Sequence, residues 1–239
     1  MRIYKNLAPI RALSFDLDDT LYANPEVIAR AELAMQQAIA RQLPDFVDNT
    51  PQYWHQLRWQ LAEHNPEIRH DVSQWRLTAL EQGLTASGIS NCAAMDIAQY
   101  AMDAFLDART NIQLAPEVRP ILQQLAARFP LIAITNGNAN LAKMGIADLF
   151  ALSLRAGPDG RMKPFPDMFE NAASRLDLTT NQVLHIGDHP ESDIVGALNA
   201  GCQTAWMDKF CRPTVRLRVL PHLAISELDQ LLQLPALSR

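Results

Sequence analysis

Residues 12–20, with the sequence ALSFDLDDT, join a short and mostly apolar run to a turn that is rich in carboxylates. A brief apolar run bounded by turn residues is typical of a strand that is buried on both faces of a sheet. Because side chains on an extended chain alternate with a period of two residues, Asp16 and Asp18 emerge on the same side. The segment therefore predicts a buried strand whose carboxyl end carries two carboxylates.

Four later runs have the same character, and they cover residues 131–134, 151–154, 183–186 and 204–207. Amphipathic helical patterns begin after Pro116 and after Pro166, and another ends at Gly201, which is placed as a C-terminal cap. Strands that alternate with helices predict an α/β fold, here a Rossmann-like parallel sheet covered by helices on both faces.

Residues 23–110 interrupt this alternation, because they contain four apolar stripes at helical spacing and no convincing strand. The segment is too long for a single crossover helix. We therefore predict two domains. Residues 1–22 plus 111–239 form the α/β core, and residues 23–110 form an inserted all-helical domain.

The composition excludes several classes of protein. The 239 residues include 21 Lys and Arg against 26 Asp and Glu, and the formal net charge of −5 argues against a nucleic-acid or anionic-membrane surface. No apolar stretch is long enough for a membrane span, and the N-terminus lacks the pattern of a secretion signal. Cys92, Cys202 and Cys211 suggest neither a disulfide framework nor a zinc site. We expect a cytoplasmic protein, and the sequence leaves its oligomeric state open.

The predicted strand ends bring acidic side chains to one edge of the sheet, where open parallel sheets bind their ligands. Asp16, Asp18, Asp188 and Asp193 would meet there. Carboxylates a few ångströms apart repel by about 4 kcal/mol per pair at an effective dielectric of about 20, so the cluster requires a cation. Oxygen ligands favour a hard ion such as Mg²⁺. Together with Lys163, the cluster predicts a site for phosphate.

These motifs and their order resemble those of the haloacid dehalogenase superfamily. Its first motif, Asp-x-Asp-x-Thr after a strand, is matched by residues 16–20, and its second by Thr135. Its third, a lysine before a helix, is matched by Lys163, and its fourth, Gly-Asp-x-x-x-x-Asp, by residues 187–193.

The resemblance implies a role for each matched residue. Asp16 would attack phosphorus and form an aspartyl-phosphate. Asp18 would act as general acid and then as general base. Thr135, Asn136 and Lys163 would bind the phosphoryl oxygens as charge redistributes.

The same resemblance implies Mg²⁺ as the cofactor. Asp16, Asp188 and the backbone carbonyl of Asp18 would be its ligands. Asp193 would support the site from behind, either through water or by orienting Lys163, and Gly187 would allow the backbone geometry of the loop.

A narrower resemblance involves the stretch up to residue 22 and residues 70–76, 135–138 and 155–158. These look similar to bacterial phosphatases that act on 5-amino-6-(5-phospho-D-ribitylamino)uracil in riboflavin biosynthesis and on FMN. The helical insert resembles the cap of such enzymes, which would close over a small phosphorylated metabolite. The chain departs from the pattern at His189, where an aspartate is usual.

Other functions remain open at this stage. A phosphomutase, or a phosphatase for another sugar or nucleotide phosphate, would retain all four motifs. A phosphoacceptor signalling domain, a different class, shares an acceptor aspartate, a threonine and a lysine, but it has no need of Asp18 or of the insert. A dehalogenase would not need Asp18 as an acid, and a non-catalytic binding protein would not need every catalytic position to be filled.

Three further residues are interpreted from their surroundings in the sequence. His185 lies inside a predicted strand, and we interpret it as a core residue. Trp54 shares a helical stripe with apolar residues and is assigned to packing. Trp59 lies off that stripe, so its side chain either lines a crevice or only covers part of the surface.

Overall fold

The computed structural model describes residues 1–210 and 217–234, and the chain divides into two compact units. One unit is Pro25–Ile112, and the other combines Met1–Asn24 with the chain from Gln113 onward. Cys92 is exposed and Cys202 is buried, whereas Cys211 lies outside the described residues. No helix within the described ranges has the length and apolar character needed to cross a membrane.

The larger unit is built on a seven-stranded sheet. Its strands are β1 (Arg2–Ile3), β2 (Ala12–Phe15), β3 (Leu131–Thr135), β4 (Phe150–Arg155), β5 (Val183–Gly187), β6 (Gln203–Met207) and β7 (Leu223–Ile225). Their order across the sheet is β1-β7-β6-β5-β2-β3-β4, and all neighbours are parallel except β1 and β7. Every residue of β2, β3 and β5 is buried, as expected for central strands covered on both faces.

The chain reverses its direction across the sheet at β2, which pairs with β3 on one side and with β5 on the other. A crevice forms at such a reversal, because the loops that follow the two neighbouring strands leave in opposite directions. The carboxyl ends of β2, β3 and β5 therefore place the residues that follow them around one point.

The helical unit contains α1 (Pro25–Gln42), α2 (Pro51–His64), α3 (Val72–Ala86) and α4 (Asn91–Thr110), with a 3₁₀-helix at Pro66–His70. Its core includes Met35 and Ile39 from α1, Trp54 from α2 and Phe105 from α4. Trp54 is buried against Phe46 and Tyr53, which confirms its assignment to packing.

The helices of the sheet unit are α5 (Val118–Ala126), α6 (Asp167–Arg175) and α7 (Gly196–Asn199). Shorter helical turns are a π-helix at Pro190–Val195 and 3₁₀-helices at Ala147–Leu149, Thr180–Gln182 and Leu228–Gln233. Gly201 follows α7 and has φ at +84°, a conformation that a glycine adopts without a Cβ clash.

The predicted α/β class is confirmed, since a mostly parallel sheet with helices forms the core. Strands β1 and β7 were not predicted, because two or three residues are too few to show a periodic pattern. The helical segment that was predicted to end at Gly201 starts with a π-helix, Pro190–Val195. This turn brings the Asp193 side chain against Gly187 at the end of β5.

Candidate active site

A cavity of about 200 Å³ lies at the carboxyl ends of β2, β3 and β5. It is lined by Asp16, Asp18, Asp19, Thr135, Asn136, Gly137, Lys163, Asp188, His189, Ser192 and Asp193. Every side chain that the sequence assigned to catalysis, to phosphate or to a metal is among them. The strand order explains this result, because residues far apart in the chain follow neighbouring strands.

Among the described residues that line the cavity, Lys163 is the only lysine or arginine, and only 1% of it is exposed. Its ammonium group donates to Asp16 Oδ1 at 2.7 Å, to Asp193 Oδ1 at 2.6 Å and to the Ile134 carbonyl oxygen at 2.7 Å. An ammonium group has three N–H donors. All three are therefore directed at protein acceptors, so a phosphate oxygen can bind Lys163 only by replacing one of them.

The electrostatics of this pair follow from burial and from charge. Burial alone would lower the pKa of Lys163, but the charges of Asp16 and Asp193 outweigh it and raise that pKa. Burial raises the pKa of Asp16 well above the usual range, and the negative charges of Asp193 and Asp18 add to the rise against the opposing effect of Lys163. The single positive charge of Lys163 thus does not neutralise all of the carboxylates around it.

Asp193 is almost completely buried, and several donors hold its carboxylate. Oδ1 receives the Lys163 ammonium, and Oδ2 accepts the backbone N–H of His189 at 2.9 Å. Burial would raise the pKa of Asp193, but Lys163 and a hydrogen bond from His185 lower it below the usual range. The expectation that Asp193 orients Lys163 agrees with this contact.

Gly187 has a different task from the one expected. Several glycines have a positive φ, in the left-handed region, but Gly187 is not one of them. A Cβ on Gly187 would lie 2.5 Å from Cβ and 2.6 Å from Oδ2 of Asp193. The glycine is therefore required because Asp193 packs directly against the backbone.

We expect Gly187→Ala to displace Asp193 and to lower the free energy of unfolding by about 1–3 kcal/mol through overpacking. Because Asp193 holds Lys163, kcat should also fall. Thermal unfolding and phosphate release measure the two effects.

Gly88→Ala is the matched control for this prediction. Gly88 has φ at +89°, and its added Cβ would meet nothing within 4 Å. The alanine should cost about 1–2 kcal/mol of stability through backbone strain while kcat stays unchanged. A Gly187→Ala enzyme with full kcat would contradict the proposed packing role.

Asp18 lies on the same turn as Asp16 and faces the same cavity. The phenolic O–H of Tyr22 donates to Asp18 Oδ1, and the two residues also form an isolated parallel bridge. Tyr22 is buried, so this contact fixes the direction in which the Asp18 carboxyl group points. Sequence reasoning included Tyr22 in the resemblance without giving it a role.

Asp188 is held at the end of β5 from two sides. The indole N–H of Trp206 donates to its backbone carbonyl at 2.8 Å, and the Thr20 hydroxyl lies 3.4 Å from its Oδ1. Burial, followed by the charges of Asp193 and Asp19, raises the pKa of Asp188 to about 7. Oxygens of Asp16, Asp188 and Asp193 lie within 4.8 Å of one another, close enough to share one cation.

The second motif follows β3. The Thr135 hydroxyl accepts the backbone N–H of Gly137 at 2.9 Å. Asn136 was expected to bind phosphate, but its amide oxygen accepts the Lys163 backbone N–H at 2.7 Å and its amide nitrogen donates to the Lys163 carbonyl at 2.9 Å. The Asn136 side chain thus fixes the backbone of Lys163 through two hydrogen bonds.

Trp59 and residues 70–76, which the sequence analysis singled out, lie in the helical unit. Trp59 is 46% exposed and packs edge to face on Trp75, with their centroids 5.5 Å apart. The Trp75 indole N–H donates to the Arg58 carbonyl, and Arg76 is buried over the Phe105 ring. Trp75 and Arg76 are therefore largely engaged in packing, which leaves Trp59 as the accessible aromatic surface of this cluster.

A model of the haloacid dehalogenase-like hydrolase family matches residues 10–201. The chain therefore belongs to this family of hydrolases, as its motifs and its cavity indicate. It is 40% identical over 237 residues to the 5-amino-6-(5-phospho-D-ribitylamino)uracil phosphatase YigB of Escherichia coli (strain K12), which covers 98% of this chain and 100% of that protein.

Two further relatives show how widely the family's named activities vary. A phosphoserine phosphatase of Thermus thermophilus is 31% identical over 126 residues, about half of each chain. A solved structure described as a 2-haloacid dehalogenase from Pseudomonas syringae pv. Tomato DC3000 is 35% identical, with a TM-score of 0.87 over 94% of this chain and 97% of that one.

Proposed function

We propose that this chain is a Mg²⁺-dependent phosphomonoesterase that acts through an aspartyl-phosphate. One observation carries the proposal. Asp16 and Asp18 face one cavity, and the Lys163 ammonium lies 2.7 Å from Asp16. This arrangement supplies a nucleophile, a proton carrier and a fixed positive charge around one phosphoryl group.

In the first step the Asp16 carboxylate attacks phosphorus and the bond from phosphorus to the ester oxygen breaks. Asp18 gives its proton to the departing oxygen, so the leaving group departs as an alcohol. Thr135 lines the cavity, and its hydroxyl, whose oxygen accepts the Gly137 N–H, would donate its own proton to a phosphoryl oxygen. Lys163 keeps Asp16 in position throughout.

In the second step Asp18 takes a proton from water, and the resulting hydroxide attacks phosphorus. The bond between phosphorus and Asp16 breaks, so inorganic phosphate leaves and the Asp16 carboxylate is restored. Asp18 ends in its protonated form, ready for the next substrate. The hydrogen bond from Tyr22 would keep the Asp18 carboxyl group directed into the cavity during both proton transfers.

The residues of the cavity fit a magnesium ion. Five aspartates and one lysine line the cavity, and the grouped carboxylate oxygens match the preference of Mg²⁺ for oxygen. Three protein donors already engage Asp193, from Lys163, His185 and the His189 backbone. Asp16 and Asp188 are therefore the carboxylates that would hold the ion, with the Asp18 carbonyl oxygen. When bound, Mg²⁺ would neutralise part of the phosphate charge.

We expect Asp188→Asn to raise the Mg²⁺ concentration needed for half-maximal activity by at least about tenfold, since a charged oxygen ligand is lost. Activity as a function of Mg²⁺ measures this, and calorimetric titration with Mg²⁺ provides a readout that does not depend on turnover. Asp208→Asn is the control, because Asp208 also follows a strand but lies outside the cavity. Identical magnesium curves for the two variants would remove Asp188 from the metal site.

We also infer that the substrate is 5-amino-6-(5-phospho-D-ribitylamino)uracil, with FMN as a second substrate. The full-length relation to YigB at 40% identity supports this assignment.

A phosphate-release screen tests the substrate. It compares 5-amino-6-(5-phospho-D-ribitylamino)uracil, FMN, phosphoserine and simple sugar phosphates, each with and without Mg²⁺. We expect the first compound to give the highest kcat/KM. A higher value for phosphoserine or a sugar phosphate would overturn the substrate assignment but retain the phosphatase, and conversion without net phosphate release would indicate a mutase.

The relation to a solved 2-haloacid dehalogenase makes that activity the second candidate. Displacement of halide by Asp16 would need neither a proton for an alkoxide nor a metal, so Asp18 and Asp188 would have no task in it. Halide release from 2-chloropropionate, measured beside phosphate release, separates the two functions. Halide release that exceeds phosphate release would overturn the phosphatase proposal.

A further inference from the structure

We propose that His185 is a positioning residue, whose Nε2–H holds the Asp193 carboxylate and thereby sets the Lys163 ammonium against Asp16. This inference rests on the proposed phosphatase reaction. It assigns a task to a fully buried residue that the reaction scheme does not use and that the sequence alone placed in the core.

The contacts of the imidazole ring carry the proposal. Nε2 of His185 lies 3.2 Å from Asp193 Oδ1, the same oxygen that receives Lys163, and Nδ1 lies 2.9 Å from the Ser14 hydroxyl oxygen. Phe169 packs edge to face on the ring, with centroids 4.9 Å apart. The ring is thus held through both nitrogens and by its contact with Phe169.

The chemistry of the partners fixes the tautomer. An ionised carboxylate only accepts hydrogen bonds, so Nε2 carries the proton that is given to Asp193. Burial lowers the pKa of His185, which favours the neutral ring, and a neutral ring with its proton on Nε2 accepts at Nδ1. The Ser14 hydroxyl therefore donates to Nδ1. Residues 14 and 185 are register partners in β2 and β5, so the sheet itself sets this contact.

The result is a hydrogen-bonded chain from Ser14 through His185, Asp193 and Lys163 to Asp16. Its middle members are buried, where partly satisfied polar groups are costly and satisfied networks are rigid. Groups that orient a catalytic residue in this manner typically change activity by about 10- to 100-fold when they are removed.

A pair of amide substitutions tests the role. His185→Gln places an amide N–H near the position of Nε2, whereas the shorter His185→Asn reaches only towards the position of Nδ1. We expect His185→Asn to lower kcat for 4-nitrophenyl phosphate by about 10- to 100-fold with little change in KM, and His185→Gln to stay within about threefold of wild type. Equal losses in both variants, or full kcat in His185→Asn, would overturn the proposal.

Thr204→Val is the matched control. Thr204 is fully buried, lies beside His185 on β6, and bonds His222 rather than the cavity. Its loss should lower the unfolding temperature and leave kcat unchanged. A kcat loss in Thr204→Val as large as that in His185→Asn would contradict the proposal. It would show that the removal of any buried polar side chain from the sheet lowers kcat.

The ¹⁵N chemical shifts of the His185 ring in the wild-type protein provide a test that requires neither a folded variant nor turnover. We expect a neutral ring protonated on Nε2. A neutral ring protonated on Nδ1 would overturn the proposal. If the wild-type protein releases no phosphate from any ester, the phosphatase proposal fails, while the ring shifts still decide the hydrogen-bonding scheme.

Discussion

Asp16→Asn should lower kcat by about 10⁴-fold or more, because the amide cannot form the covalent intermediate. The variant should stay folded, since an amide oxygen can still accept the Lys163 ammonium and Asp193 continues to balance its charge. Steady-state phosphate release measures the loss, and intact-protein mass after quenching in acid measures the phosphoryl adduct. Wild type should carry the adduct, and the variant should not.

The control for this experiment is Asp103→Asn, which neutralises an exposed carboxylate on α4. It should show wild-type turnover and the wild-type adduct. An Asp16→Asn enzyme that retains full activity would reject the covalent scheme, because water or a side chain other than Asp16 would then have to attack phosphorus.

Asp18→Asn should separate the two halves of the reaction. With 4-nitrophenyl phosphate the leaving group departs without a proton, so the aspartyl-phosphate still forms. Its hydrolysis lacks a base, and steady-state turnover should fall by about 10²- to 10⁴-fold. Stopped-flow absorbance should therefore show a burst of nitrophenolate close to one equivalent of enzyme, followed by a slow phase.

Tyr22→Phe provides the comparison for Asp18. It keeps the carboxyl group but removes the hydroxyl that orients it, so we expect a smaller loss of turnover and a smaller burst than in Asp18→Asn. A slow Asp18→Asn enzyme without a burst would mean that Asp18 acts before the covalent step, and the assignment as base would be wrong. Continuous turnover by the wild-type protein in the same experiment would exclude a signalling domain, since such a domain keeps its phosphate when every residue is intact.

The sequence alone was sufficient to bring Asp16, Asp18 and Asp188 to one edge of the sheet, because each follows a strand of recognisable pattern. Lys163 lies before a helix and follows no strand directly, so its assignment came from the resemblance to the third motif. Parallel strands present their carboxyl ends on one edge, so proximity in the fold follows from order in the chain. The same reasoning predicted the helical insert, whose stripes are long enough to show their period.

Other features of the site could not be predicted, because they depend on the register between strands and on the paths of loops. The pairing of Ser14 with His185 requires β2 and β5 to align residue for residue, and no pattern in either strand specifies that alignment. The Asn136 amide reaches the main chain of Lys163, 27 positions away, through a loop that carries no periodic signal. The three acceptors of the Lys163 ammonium also depend on where the side chains lie in the folded protein, which no sequence pattern specifies.

The antiparallel strand β1 has a consequence for the behaviour of the protein in concentrated solution. Strand β7 would otherwise end the sheet with unpaired backbone groups beside Leu223 and Ile225, a template on which another chain could add a strand. Arg2–Ile3 covers that margin, and two residues are too few to offer much of a template themselves. This short strand thus shields the open side of β7 from the addition of a strand by another chain.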